Sequence, residues 1–130
     1  MMQSLLGNSR KPDISFYRSG RIDITTKLSK RLGLEAGDVI DILFDGMEFY
    51  LYVKAKADTL MGKHEAQCHP TNPECRNCHN FRVYSKRICD RIIRIAGTGS
   101  EARIYAGGDV QIQGHDAVII IPKSAELFRV

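Results

Sequence analysis

The chain lacks any long apolar run. Its longest stretch, Ala117 to Ile121, falls far short of the roughly 18 residues that a membrane-spanning helix requires, so no such helix is expected. Tryptophan is also absent, which decides nothing. The opening MMQSLLGNSRKPD has too short an apolar segment for a secretory signal, and no small-residue cleavage site follows it. A cytoplasmic protein is therefore expected, with reduced thiols and no disulfides. No sign of charge dominates: 19 Lys and Arg stand against 15 Asp and Glu, a net charge of +4. No repeat of 20–50 residues is evident.

Catalytic constellations are missing too. His64-Glu65 is not followed by a second His at metalloprotease spacing. Gly107-Gly108 lacks the phosphate-loop pattern, and Gly97-Thr98-Gly99-Ser100 has no Lys after it. Cys78 and His79 are adjacent, and neighbours on an extended chain point apart, so they make a poor dyad. An enzyme is not expected. What is present is an ordinary globular composition, 43% apolar and 26% charged, in a length that suits one domain and one hydrophobic core.

Periodicity divides residues 1–130 into five stretches. Residues 1–12 read as a loose arm. Ile14 to Tyr17 is a short strand, and Arg21 to Thr25 alternates with the period of a half-buried strand. Leu28, Leu32 and Leu34 then take near-helical spacing, with Thr25 or Thr26 as N-cap and Gly33 as the stop. Val39 to Phe44 and Glu48 to Ala55 flank Asp45-Gly46, a strong hairpin signal. Residues 64–80 lack periodicity. Residues 85–96 form an amphipathic helix with Ser85 as N-cap, Gly97 as stop and Ile88, Ile92 and Ile95 as its apolar stripe, Cys89 and Ile93 beside it. Residues 102–121 return to strands: Ala102 to Ala106, a Gly107-Gly108 turn, Val110 to Gln113, and Ala117 to Ile121, apolar enough for burial on both faces. The expected fold is α+β, a small β-barrel or sandwich with C-terminal antiparallel strands.

The run Gly20-Arg21-Ile22-Asp23-Ile24-Thr25-Thr26-Lys27-Leu28, continuing through Leu32-Gly33-Leu34-Glu35-Ala36-Gly37-Asp38-Val39-Ile40-Asp41-Ile42, resembles the swapped-hairpin pattern of the AbrB, SpoVT and MazE proteins. The likeness reaches Leu51 with the hairpin, inside a β-α-β-β half spanning residues 20–55. Two positions depart from it: Thr25 stands where the family usually has Pro, and Asp23 where it prefers an apolar residue. The resemblance implies two chains interlocked into one barrel, a homodimer that binds double-stranded DNA as a transcription regulator; related barrels without DNA-binding function close instead with two halves of one chain, and the C-terminal strands could supply the second half here. By position, Arg21, Lys27, Lys30 and Arg31 would contact phosphates. Such contacts give salt-dependent affinity with little sequence choice.

The positive excess itself lies elsewhere. Residues 64–95 hold six Lys and Arg against three Asp and Glu. Lys86, Arg87 and Arg91 on the longer helix are therefore further candidates for DNA, with Phe81 and Tyr84 interleaved before them. The same stretch carries His64, Cys68, His69, Cys75, Cys78 and His79. A Cys-x2-Cys knuckle lets two thiolates reach one zinc ion from a single turn. Cys68, Cys75 and Cys78 with one of His64, His69, His79 or Cys89 make the best four-ligand set for a structural zinc; His79 is the choice, since Cys89 reads rather as a buried core thiol. Cys75-Arg76-Asn77-Cys78-His79 also matches the c-type haem string, but no export signal accompanies it. Two functions remain: a DNA-binding regulator of AbrB type, or a non-enzymatic protein-interaction or structural module with or without a zinc-stapled loop.

Overall fold

In a computed structural model, which describes residues 11–72, 74, 79–96 and 99–122, the alternating segments become paired strands. β1 (Ile14–Tyr17) pairs antiparallel with β2 (Arg21–Ile24), and β2 with β6 (Phe81–Tyr84). The register places Ile14 opposite Ile24, Phe16 opposite Ile22, and Ile22 opposite Val83. Residues of one parity thus share one face, and all of these are buried. A slip of one residue would turn every one of them outward.

β3 (Val39–Phe44) and β4 (Phe49–Ala55) form the hairpin around Asp45-Gly46. Asp45 Oδ1 accepts from the Met47 and Glu48 amides at 2.8 and 2.7 Å, which closes that turn. The two-residue strand β5 (His69–Pro70) lies beside β6. β7 (Glu101–Ile112) and β8 (His115–Pro122) form a long C-terminal hairpin. All eight strands make one antiparallel sheet in the order β3-β4-β8-β7-β1-β2-β6-β5. It curls into a half-barrel with two helices, an α+β fold. β8 pairs with β4 and β7 pairs with β1, so the C-terminal hairpin joins the two N-terminal hairpins within one chain.

The sheet's edges are bridged by residues 66–68. Ile40 N donates to Ala66 O at 3.1 Å and Cys68 N to Asp38 O at 2.8 Å, while Ala66 N donates to Tyr84 O on β6 at 3.0 Å. Asp38 is fully buried behind this strap. It accepts from the Glu35 and Ala57 amides at 2.9 and 2.8 Å and from Lys56 Nζ at 2.6 Å. A buried carboxylate is tolerable only with such a set of donors.

α1 (Thr26–Leu32) is seven residues long, too short to persist unaided. It is held by its ends and by one face. Thr25 caps its start, Gly33 ends it with φ 63°, and Leu28 is fully buried. α2 (Lys86–Ala96) starts at Ser85, whose Oγ accepts from Ile88 N at 3.2 Å. It packs on β1, β2 and β7. Gly97, expected to stop it, lies outside the described residues, as do most of the expected arm and Cys75, Arg76, Asn77 and Cys78.

Two expectations are corrected. Gly107-Gly108 is not a turn: β7 runs through it, with an irregularity in its pairing to β8 between Ala106 and Asp109. A Cβ on Gly107 would stand 3.2 Å from Ile119 O, so glycine here permits a close strand approach. The apolar stripe of α2 is also turned. Cys89, Ile92 and Ile93 are buried, Ile88 is only partly so, and Ile95 is 51% exposed.

Candidate functional site

The seven cations assigned to DNA are held very differently. Arg21 lies over the Tyr17 ring, 4.2 Å from its centroid, and pairs with Asp23 at 3.4 Å. That pair is too poorly aligned for a hydrogen bond, and Nε is left buried without an acceptor. Asp23 also accepts from Arg82 Nε at 2.9 Å, which holds the Arg82 guanidinium above its ordinary pKa. The acidic residue that departs from the AbrB-like pattern is thus a counterion for two arginines. Arg31 donates to Gly107 O at 2.6 Å and Asp109 Oδ1 at 2.8 Å, tying α1 to β7. Lys86 pairs with Asp90 one helical turn on. Arg87 grips Glu65 through Nε at 3.0 and 3.1 Å, and this bond with that from Ser85 pulls the Glu65 carboxyl below its usual range. Lys27, Lys30 and Arg91 are exposed, with no ion pair among the described residues. Four of the seven therefore already face internal carboxylates.

The candidate zinc ligands are dispersed in their settings. Cys68 is fully buried in the core. Burial, reinforced by the Asp38 charge, pushes its thiol up to about 12, so a zinc centre using it would need it withdrawn from the core as a thiolate. His79 is half-buried, edge-on to Phe81 at 6.2 Å. Cys75 and Cys78 lie outside the described residues. Among the described residues no three His, Cys, Asp or Glu side chains form a metal-holding group. Cys89 is a buried thiol, as expected, donating to Arg21 O at 3.5 Å.

A different feature stands out in the geometry. Beyond Ile40 the strap no longer covers β3, and a groove of about 870 Å³ opens between that edge and α2. Ile42 and Phe44 line one wall, Ile88, Ile92 and Ile95 the other. Phe44 is 43% exposed and Ile95 51%; both are among the few large apolar side chains left in water, and they lie on the lips of the same groove. Phe44 is held in place by stacking on Phe49, centroids 4.5 Å apart. Lys54, Arg91 and Arg94 also line the groove.

The groove carboxylates are occupied. Asp41 accepts from Ile42 N at 2.7 Å and from Tyr52 Oη at 3.2 Å, Glu65 holds Arg87 and Ser85, and Asp90 holds Lys86. Burial of Tyr52, with the Asp41 charge second, raises the phenol above its usual pKa. Lys54, Arg91 and Arg94 have no carboxylate within ion-pair distance among the described residues. Sequence reasoning missed this site, although one signal pointed to it. The isoleucines of α2 at 88, 92, 93 and 95 cover more of the helix than one buried stripe can take.

Comparison with protein-family models, with curated proteins and with solved structures finds no match to this chain.

Proposed function

We propose that the chain is a non-enzymatic protein-interaction module that receives another polypeptide in the groove between β3 and α2. One observation carries this reading: Ile42, Phe44, Ile88 and Ile95 converge on one opening beside the length of β3 that the strap leaves uncovered past Ile40. Scattered apolar side chains on a surface are ordinary, but a grouped set at a concave opening marks a contact site. Covering them returns roughly 25 cal/mol for each Å² of apolar surface removed from water. Glu65 and Asp90 are paired with Arg87 and Lys86, while Asp41 bonds two neutral donors and keeps its charge, so the groove's chemistry is its apolar lining and an excess of cations over that one carboxylate.

Ile95→Asp is the informative variant, because the side chain is half exposed and the core does not depend on it. Wild type and variant, used side by side for affinity capture from extracts of the source cells, should differ by at least one protein retained only by the wild type. Identical eluates would retire the reading.

A second reading keeps the AbrB-like unit and its DNA. Its support is the exposure of Lys27 and Lys30, which have no ion pair among the described residues, and the order of turn, strand, short capped helix and hairpin through residues 20–51. Against it, Arg21 and Arg31 are taken up internally, and β7–β8 pairs with both N-terminal hairpins inside one chain, where the family interlocks two. Each phosphate neutralised adds about 0.9 to the logarithmic salt slope. A gel-shift titration of duplex DNA at two salt concentrations, with Lys27→Glu/Lys30→Glu beside wild type, decides between the readings. Salt-sensitive binding that the double variant weakens would favour DNA.

A further inference from the structure

Resting on the groove reading above, we infer that the occupant is an extended, acidic and apolar peptide segment of another protein, added as a strand to the Asp41–Phe44 edge of β3.

The chain itself demonstrates how this edge is used. Where the strap covers it, β3 takes a strand: Ile40 N donates to Ala66 O, and the Asp38 carbonyl accepts from Cys68 N. Past Ile40 the strap departs. Antiparallel alternation sends the N–H and C=O groups of Ile42 and Phe44 to the same outer side as the Ile40 amide. Among the described residues the bond on that side is a local substitute, Asp41 Oδ1 accepting from Ile42 N at 2.7 Å. A side-chain oxygen thus stands where the carbonyl of a neighbouring strand would stand. An exposed edge with unpaired backbone groups is a template for strand addition, and here Asp41 keeps it from pairing indiscriminately.

Side-chain specificity follows from the walls. A strand laid along Ile42 and Phe44 turns alternate residues toward α2. These meet Ile88 and Ile95, so apolar residues at every second position are covered. Lys54, Arg91 and Arg94 carry positive charge at the same opening, with no ion-pair partner among the described residues. Carboxylates between the apolar positions would supply it and exclude basic segments by like-charge repulsion. Charge complementarity therefore selects an acidic peptide over a second copy of this chain, whose own α2 would bring Arg91 and Arg94 again.

The test is a display library of random twelve-residue peptides selected on the folded 130-residue chain. Enriched peptides should alternate apolar residues with Asp or Glu. Their affinity should fall at least tenfold with Arg91→Glu/Arg94→Glu, whose far-ultraviolet circular dichroism should match wild type because both side chains are exposed. On binding, the Ile42 and Phe44 amides should gain protection from hydrogen exchange. Peptides that bind the groove, as shown by loss with Ile95→Asp, but are basic, carry helical spacing or leave those amides unprotected would overturn strand addition and leave the groove reading standing. No enrichment, or enrichment indifferent to Ile95→Asp, would overturn both. Binding of duplex DNA that Arg91→Glu/Arg94→Glu abolishes, with no peptide enriched, would overturn the proposal and assign those cations to nucleic acid.

Discussion

At the scale of single residues, hydrogen bonds to carboxylates dominate the polar chemistry. Asp45 is the clearest case. Its Oδ1 holds the turn amides of Met47 and Glu48, and its Oδ2 accepts from Tyr50 Oη at 2.8 Å. The Glu48 amide is the largest cause of an Asp45 pKa below the ordinary value, and the Asp45 bond pushes the Tyr50 phenol up to about 12. The signs then follow from linkage. A carboxylate with a depressed folded pKa contributes stability that is present above its unfolded value, about 4, and lost as pH falls through the folded value. Tyr50 contributes stability present below about 10 and lost as pH rises through about 12. Asp45→Asn should therefore be less stable than wild type at neutral pH, with the difference shrinking as pH falls below about 4. The same variant should bring the Tyr50 titration, followed by tyrosinate absorbance, back toward 10. A Tyr50 titration that does not move would disprove the assigned cause.

At the scale of elements, local signals were legible where the physics is local. The cap at Thr25, the left-handed stop at Gly33, the Asp45-Gly46 hairpin and the Ser85 cap all stand in the sequence because each acts within a few residues. Gly20 adds a long-range reason to a local one. Its φ of 99° favours glycine, and a Cβ there would also meet the Lys86 backbone at 3.3 Å, where Ser85 N donates to Gly20 O at 2.9 Å. Gly20→Ala should cost about 2 kcal/mol, read as a shifted denaturant midpoint with an unchanged slope. A loss below about 0.5 kcal/mol would mean that the turn relaxes freely. What was not legible is tertiary. Two glycines in a row resemble a turn, yet Gly107 serves a close approach to β8. Ile88, Ile92 and Ile95 fit one stripe, yet packing on β1, β2 and β7 selects Cys89, Ile92 and Ile93, leaving two isoleucines of that stripe to the groove. The cations were visible as cations, but Arg31 finds Asp109 across 78 positions, a distance that no periodicity encodes.

At the scale of the whole molecule, closure depends on a short strap rather than on a strand. Ala66 N, Cys68 N, Ile40 N and Gly37 N make the backbone bonds that join it to β6, to β3 and to the turn before β3, and Glu65 secures it to α2 by accepting from Ser85 Oγ at 2.7 Å and from Arg87. The β7–β8 hairpin, by contrast, is paired on both sides, to β1 and to β4, and buries Ile104, Tyr105, Val118 and Ile120. The two regions should open with different free energies. Loss of the hydrogen bond from the buried Ser85 hydroxyl to Glu65 costs about 1 kcal/mol, or about fivefold in an opening equilibrium. Glu65→Ala should therefore speed exchange of the Gly37, Ile40, Ala66 and Cys68 amides about fivefold, while those of Ile104 and Ile120 keep the rate of global unfolding. Acceleration of all amides together would mean that the strap opens only when the sheet unfolds. Selective acceleration would identify the strap as a separately opening segment. It would also set the length of edge open to a partner, because every strap bond released from β3 extends the free run that begins at Asp41.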